Sequence, residues 1–156
     1  MNHSNHSQMK RIQNILMMLF WAQLAVPALI YVCGEFLHVD MAVLSECSPT
    51  VRYVVSTVMI LLSLALIPLA LRLFKFGRVR RDLAERGAEA LGRWGRVRLL
   101  MLGDLLLANT VLYYAFAYEP AFGYLAVVTL LTMPFVYPTM NRCLTETEAA
   151  GEGAEA

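Results

Sequence analysis

The sequence predicts an all-α integral membrane protein in which four transmembrane helices form one bundle. Of its 156 residues, 58% are hydrophobic and only 16% are charged, whereas about a quarter of the residues are charged in ordinary soluble domains. Four mostly apolar stretches have the ~20 residues that an α-helix needs to cross a ~30 Å hydrocarbon layer. These stretches cover half of the chain, so we expect a single domain with little room for a water-soluble part.

The four predicted spans are residues 15–34, 53–71, 99–118 and 122–140. Lys10 and Arg11 precede the first span, as basic residues precede a secretory signal. The apolar run is longer than the ~7–15 residues of a signal core, however, and no small-x-small cleavage site follows it. We therefore expect a retained helix. Segments 1–11 and 143–156 are expected to be flexible cytoplasmic tails.

The basic residues predict the orientation of the chain. All but one of the 13 Lys and Arg residues fall before the first span, between the second and third, or after the fourth. Cytoplasmic loops carry such an excess of positive charge. The exception, Arg52, adjoins a loop that contains Asp40 and Glu46. Both termini are therefore predicted to be cytoplasmic, and a bacterial inner membrane is the expected location.

Two cysteines flank the loop after the first span. Cys33 lies at the end of the span and Cys47 lies in the loop. In an oxidising compartment these thiols would form a disulfide that closes a short loop. The equally weighted alternative is two unpaired cysteines, one of them packed as a small hydrophobic residue. A thiol-oxidising enzyme is not expected, because the sequence contains no Cys-x-x-Cys pair.

Segment 72–98, between the second and third spans, is strongly basic, with nine Lys and Arg residues against three acids. Val79, Leu83, Leu91 and Trp94 recur at helical spacing, so we expect a partly helical loop with one side on the membrane surface. Its basic residues would then meet anionic headgroups, worth ~1 kcal/mol each. In the alternative interpretation the charge only sets the orientation. Nucleic-acid binding is not expected, since no base-stacking motif is present.

Asp104 is the only acidic residue within the predicted spans. A charged side chain at mid-membrane costs ~2.5–3.5 kcal/mol, and this makes Asp104 a candidate functional residue. Asp104, Ala108, Val111 and Ala115 form one helical stripe, and small residues favour close helix contact. We therefore expect Asp104 to face the bundle interior. It would act as an anchor paired with Arg72, or as a proton or cation relay.

Other polar residues and prolines also interrupt the apolar stretches. Gln23 and Asn109 are the further intramembrane polar candidates. Each proline removes a backbone donor and bends a helix, and such breaks form substrate sites in transporters. The predicted kinks are at Pro27, Pro68, Pro134 and Pro138.

The sequence contains no nucleophile with a base, metal-ligand cluster, phosphate loop or cofactor motif, so we expect neither an enzyme nor a bound cofactor or metal. The favoured function is a structural or accessory subunit that packs with itself or with a larger membrane partner. The alternative is a small-solute or ion transporter or channel subunit that uses Asp104 and Gln23. Convergence of polar residues from several helices on one pocket would favour transport.

Overall fold

The computed structural model describes the backbone of residues 3–154 and the side-chain surroundings of residues 7–146 and 148. Within this part all regular elements are helical. The α-helices are α1 (His3–Glu35), α2 (Pro49–Arg72), α3 (Gly77–Arg86), α4 (Ala88–Ala115), α5 (Pro120–Thr132) and α6 (Met140–Ala154). Two 3₁₀ turns, Leu73–Lys75 and Met133–Val136, follow α2 and α5. Residues 1–2 and 155–156 of the predicted tails lie outside the described residues.

Among the described residues, three helical segments are long and apolar enough to cross a membrane, namely Ser7–Glu35, Pro49–Lys75 and Ala88–Ala115. The fourth predicted span consists of two helices, Pro120–Val136 and Met140–Glu146, which are bent by 78° relative to each other. Pro134 lies in the 3₁₀ turn and Pro138 in the break, where a residue without a backbone N–H interrupts the helical hydrogen bonds. The prediction of apolar, membrane-compatible helices is confirmed, with three candidate spans or four if the bent pair counts as one. Pro27 and Pro68 lie inside helices that continue past them.

Helices α1 and α4 pack closely and run parallel. A Cβ atom added at a glycine of one helix would meet the partner side chain in each of the pairs Ile12 with Gly92, Leu16 with Gly95, Gln23 with Gly103, and Tyr114 with Gly34. The two members of every pair are about 80 residues apart in the chain, so the two helices run in the same direction and keep one register along their length. Glycines permit this close approach because they lack a side chain.

Helix α4 is the centre of the bundle and packs against α1, α2, α3 and α5. In the most apolar 18-residue stretch of α4, half of the residues are buried inside the protein, compared with 17% in the corresponding stretches of α1 and α2. On the side of α2 and α5, a cluster forms around Met59, Leu105, Phe116 and Phe122. Helices α1 and α2 therefore flank α4, and most of their apolar surface is left uncovered by this chain.

The end of the bundle that holds α3 and α6 is called the basic end here, and the end that holds connections 36–48 and 116–119 is called the acidic end. At the basic end, Val79 and Leu83 of α3 are buried in a cluster with Met9, Leu91 and Cys143. The expectation that the apolar side of α3 lies on the membrane surface is therefore wrong, since α4 and α6 cover it.

The segments expected to be flexible tails are helical where they are described. Helix α1 begins at His3 and α6 extends from Met140 to Ala154. Buried residues from both segments, Met9 and Cys143, explain this difference, because they complete the cluster beneath α3. Helix α4 likewise begins at Ala88, well before the predicted boundary at Leu99.

Candidate functional site

Asp104 is exposed on the surface of α4. Gly103 packs against Gln23 of α1, and Leu105 packs in the same cluster as Met59 of α2. Successive residues of an α-helix are rotated by ~100° about its axis. Asp104, between Gly103 and Leu105, therefore faces the gap between α1 and α2. The expected inward orientation of Asp104 is therefore wrong, because the glycine-bearing and leucine-bearing sides of α4 form the helix contacts.

Within the described residues, no hydrogen bond or ion pair joins Asp104 to another side chain. The expected partner, Arg72, is exposed at the end of α2. Ala70 packs in one cluster with Leu99 and Leu102, and Arg72 lies beyond Ala70 toward the basic end. The predicted pair does not form, because its two members lie at different heights along the bundle.

Asp104 belongs to an exposed stripe on α4. Its apolar neighbours on this stripe, Val97, Leu100 and Val111, are 36–45% exposed. These four residues are separated by three, four or seven positions, so they lie on one side of the helix. We call this side the outer face of α4. It is bounded by α1 and α2, and no other described helix covers it.

The other two polar candidates point away from Asp104. The side chain of Gln23 lies over Gly103, on the α1 side of α4. Asn109 is fully buried, and its Nδ2 donates a hydrogen bond of 3.0 Å to the carbonyl of Leu105. Asp104, Gln23 and Asn109 therefore do not line a common cavity, and the convergence that would favour transport is not seen among them.

Two further buried polar residues lie in neighbouring helices. Ser63 of α2 and Thr129 of α5 are both almost completely buried. The Thr129 hydroxyl donates to the carbonyl of Leu125 at 2.7 Å, whereas Ser63 Oγ and Asn109 Oδ1 have no hydrogen-bond partner in the described part of the chain. Sequence reasoning missed Ser63 and Thr129, because isolated hydroxyl residues are common in membrane helices.

An ionic junction at the basic end was also missed. Arg98 is only 4% exposed, and its Nη1 lies 3.2 Å from Glu146 Oε1. The same carboxylate accepts a hydrogen bond of 3.0 Å from Arg142 Nε. The Arg98 guanidinium also lies 4.6 Å from the centroid of the Phe74 ring. Arg98 therefore joins α4 to α6, whereas the sequence analysis expected the basic residues of segment 72–98 to meet headgroups or to set the orientation.

A groove of about 780 Å³ lies between α1, α4 and α5. Its lining is mainly apolar, and it includes Tyr31, Tyr113, Tyr114, Tyr118 and Tyr124. The Tyr114 hydroxyl donates to Glu35 Oε1 at 3.2 Å, joining α4 to the end of α1. Neither Asp104 nor Gln23 lines the groove. These tyrosines come from α1, α4, α5 and the connection 116–119, so no local spacing in the sequence revealed them.

Cys33 and Cys47 have free thiols, and each is half-buried. Cys47 packs beside the cluster that contains Met59 and Phe116. The structure thus has the unpaired arrangement, one of the two alternatives that the sequence left open. Packing of Cys47 as a small apolar residue accounts for its position.

The described residues contain no group of three or more His, Cys, Asp or Glu side chains that could hold a metal ion. Comparison of the chain with protein-family models, curated proteins and solved structures gave no match. Function is therefore inferred from the geometry of this chain.

Proposed function

We propose that this chain is an accessory subunit of a membrane complex and that it packs against a larger membrane protein through the outer face of α4. The observation that carries the proposal is the exposure of Asp104 within an otherwise apolar stripe. Helices α1 and α2 bound this stripe but do not cover it. A protein partner would cover the stripe and provide polar contacts for the Asp104 carboxylate.

The position of Asp104 along α4 supports a protein contact over exposure to lipid. Asp104 lies six residues beyond Arg98, which corresponds to ~9 Å along the helix axis. Its side chain is short and cannot extend to the interface as a long Lys or Arg side chain does. Exposure of its carboxylate to hydrocarbon carries the cost of ~2.5–3.5 kcal/mol noted for intramembrane charges. A polar contact with another protein removes part of this cost.

Four membrane crossings with both termini in the cytoplasm form the topology we propose. Parallel packing means that α1 and α4 both start at the basic end. The contact of Glu146 with Arg98 places the start of α6 at that same end, so the chain returns there after α5. Excess positive charge at the basic end is the expected feature of a cytoplasmic side. A bacterial inner membrane would provide anionic headgroups for the exposed Arg78 and Arg81.

Transport by this chain has weaker support. A transport path needs polar groups from several helices around one cavity. Asp104, Gln23 and Asn109 point in three directions, and the groove between α1, α4 and α5 is lined mainly by apolar and tyrosine side chains. The accessory role requires only the uncovered outer face.

Photo-crosslinking in the native membrane tests the accessory role. A photoreactive residue at Leu100, on the outer face, is compared with one at Leu131 of α5, which is 66% exposed. We expect Leu100 to give a discrete protein adduct and Leu131 to give lipid adducts. An identical adduct pattern at the two positions would contradict the proposed role of the outer face.

A further inference from the structure

We infer that the partner at the outer face is a transmembrane helix of a different protein, and that this helix carries a Lys or Arg at the depth of Asp104. The inference rests on the accessory function proposed above and specifies its partner. It follows from the charge of the outer face and from the positions of the basic residues of this chain.

The nearest basic residues on the same side of α4 do not neutralise Asp104. Arg96 Nε donates a hydrogen bond of 2.9 Å to the carbonyl of Gly92, one turn toward the basic end. Arg93 forms an ion pair with Asp82 of α3. Arg96 is eight residues before Asp104, or ~12 Å along the axis. Neither basic residue is therefore placed to neutralise the acid, and a partner helix could supply that charge.

A second copy of this chain does not supply that charge. Copies inserted with the same orientation place their Asp104 residues at the same depth. A symmetric contact through the outer faces repeats the same patch on both sides and so places acid opposite acid, which disfavours the charged form of both carboxyls. A basic residue on another helix gives instead a charge-assisted hydrogen bond, the stronger kind of polar contact.

The apolar part of the outer face fits one helix. Val97 and Leu100 lie on the basic-end side of Asp104, and Val111 lies two turns beyond it. Their spacing matches the ridge that one helix presents to another. The partner is therefore an apolar helix with a single basic residue, and its remaining contacts are van der Waals contacts along this ridge.

A peptide probe tests this partner chemistry. The probe is a transmembrane helix of about 21 Leu and Ala residues with one Lys placed ~9 Å from its basic-end interface. Two control peptides carry Leu in place of Lys, or the Lys two turns deeper. Energy transfer between the labelled peptide and the full chain, both in phosphatidylcholine vesicles, measures association. We expect the matched Lys peptide to bind about tenfold more tightly than the Leu peptide.

Asp104→Asn is the first variant to be compared, because it keeps the side-chain size at an exposed position. It should remove the preference for the Lys peptide while the thermal unfolding of the chain in detergent stays unchanged. Asp104→Lys should reverse the preference, so that a peptide with Asp at the matched depth binds best. Recovery by this charge reversal distinguishes an ion pair from a general effect on folding.

Equal binding of the Lys and Leu peptides to the native chain would overturn the inference. So would self-association of the native chain through the outer face, detected as energy transfer between labelled copies that Asp104→Asn alters. If either result occurs while Leu100 still crosslinks to a protein in native membranes, the basic partner is excluded and the accessory function stands. Absence of that crosslink would contradict the accessory function itself.

Discussion

Arg98 Nη1 lies 3.2 Å from Glu146 Oε1, and this contact joins two residues that are 48 positions apart in the chain. The guanidinium is buried between α4 and α6, and it also contacts the Phe74 ring. The contact holds α6 against the rest of the basic end. Its energetic role depends on burial, because a buried charge without a partner is much more costly than a solvated one.

Replacing Glu146 with Ala should lower the free energy of unfolding by about 3–5 kcal/mol, because Arg98 would remain buried without its partner. The measurement is equilibrium unfolding of the purified protein in mild detergent. The double variant Arg98→Met with Glu146→Leu should recover much of the loss. Arg142→Gln is the control, since the Arg142 side chain is 39% exposed and its contribution should stay below ~1 kcal/mol. Equal losses for Glu146→Ala and Arg142→Gln would contradict the buried junction.

Gly103→Ala should destabilise the contact between α1 and α4. The added methyl group would overlap the side chain of Gln23 and force it to move. Because that side chain is flexible, we expect a loss of about 1 kcal/mol, at the lower end of the usual cost of overpacking. Gly77→Ala is the matched control, because nothing lies within 4 Å of a Cβ atom at that position. Thermal unfolding in detergent measures both. Gln23→Ala in the Gly103→Ala background should restore stability, and a failure to do so would show that the two side chains do not meet.

The contact between α3 and α4 should weaken in acid. Asp82 Oδ2 accepts a hydrogen bond of 2.7 Å from Trp94 Nε1. This bond, with Arg93 and Arg86, lowers the pKa of the Asp82 carboxyl below its usual value. A lowered pKa means that the stabilisation is present above the unfolded-state pKa of ~3.9 and is lost as pH falls through the folded-state value.

Trp94 fluorescence measured in a Trp21→Phe background reports this transition. We expect a change in emission below about pH 4 in the native chain. Asp82→Asn should remove the pH dependence while leaving the overall helix content intact. A fluorescence profile that is the same in the two proteins would show that Asp82 does not control the contact.

Reporter fusions test the proposed orientation. A reporter that is active only outside the cytoplasm should function after Asp40, in the connection at the acidic end, and should fail after Glu85, in α3. A reporter that is active only inside the cytoplasm gives the reciprocal control. The opposite pattern would invert the assignment of both ends of the bundle.

The sequence predicted the apolar helices because each needs only local information, namely a run of residues long enough to cross the membrane. It predicted kinks at four prolines, and the bend after α5 lies at two of them, Pro134 and Pro138. Pro27 and Pro68 lie in helices that continue past them, so the local sequence did not show which prolines end a helix. The start of α4 at Ala88 was missed for a similar reason. Buried Leu91 and Gly95 lie among arginines, and the local charge resembles that of an exposed loop.

The orientation of Asp104 could not be predicted from the sequence because α4 carries two competing sets of small residues. The alanines at 108 and 115 suggested one packing side. The structure uses Gly92, Gly95 and Gly103 against α1 instead. The burial of Arg98 could not be predicted either, since its partner Glu146 lies in a segment whose composition is typical of a solvated tail.

During synthesis, α1 enters the membrane long before its main packing partner exists. Each α1 residue in the parallel contact meets a residue made about 80 positions later, which corresponds to a delay of ~4–16 s at ~5–20 residues per second. Gln23 must spend that interval without Gly103. Helix α4 is the least apolar of the three long helices, and it arrives when α1 and α2 are already in place. Because α1 and α2 precede it in the chain, α4, the least apolar of the three long helices, can pack against them as it is inserted.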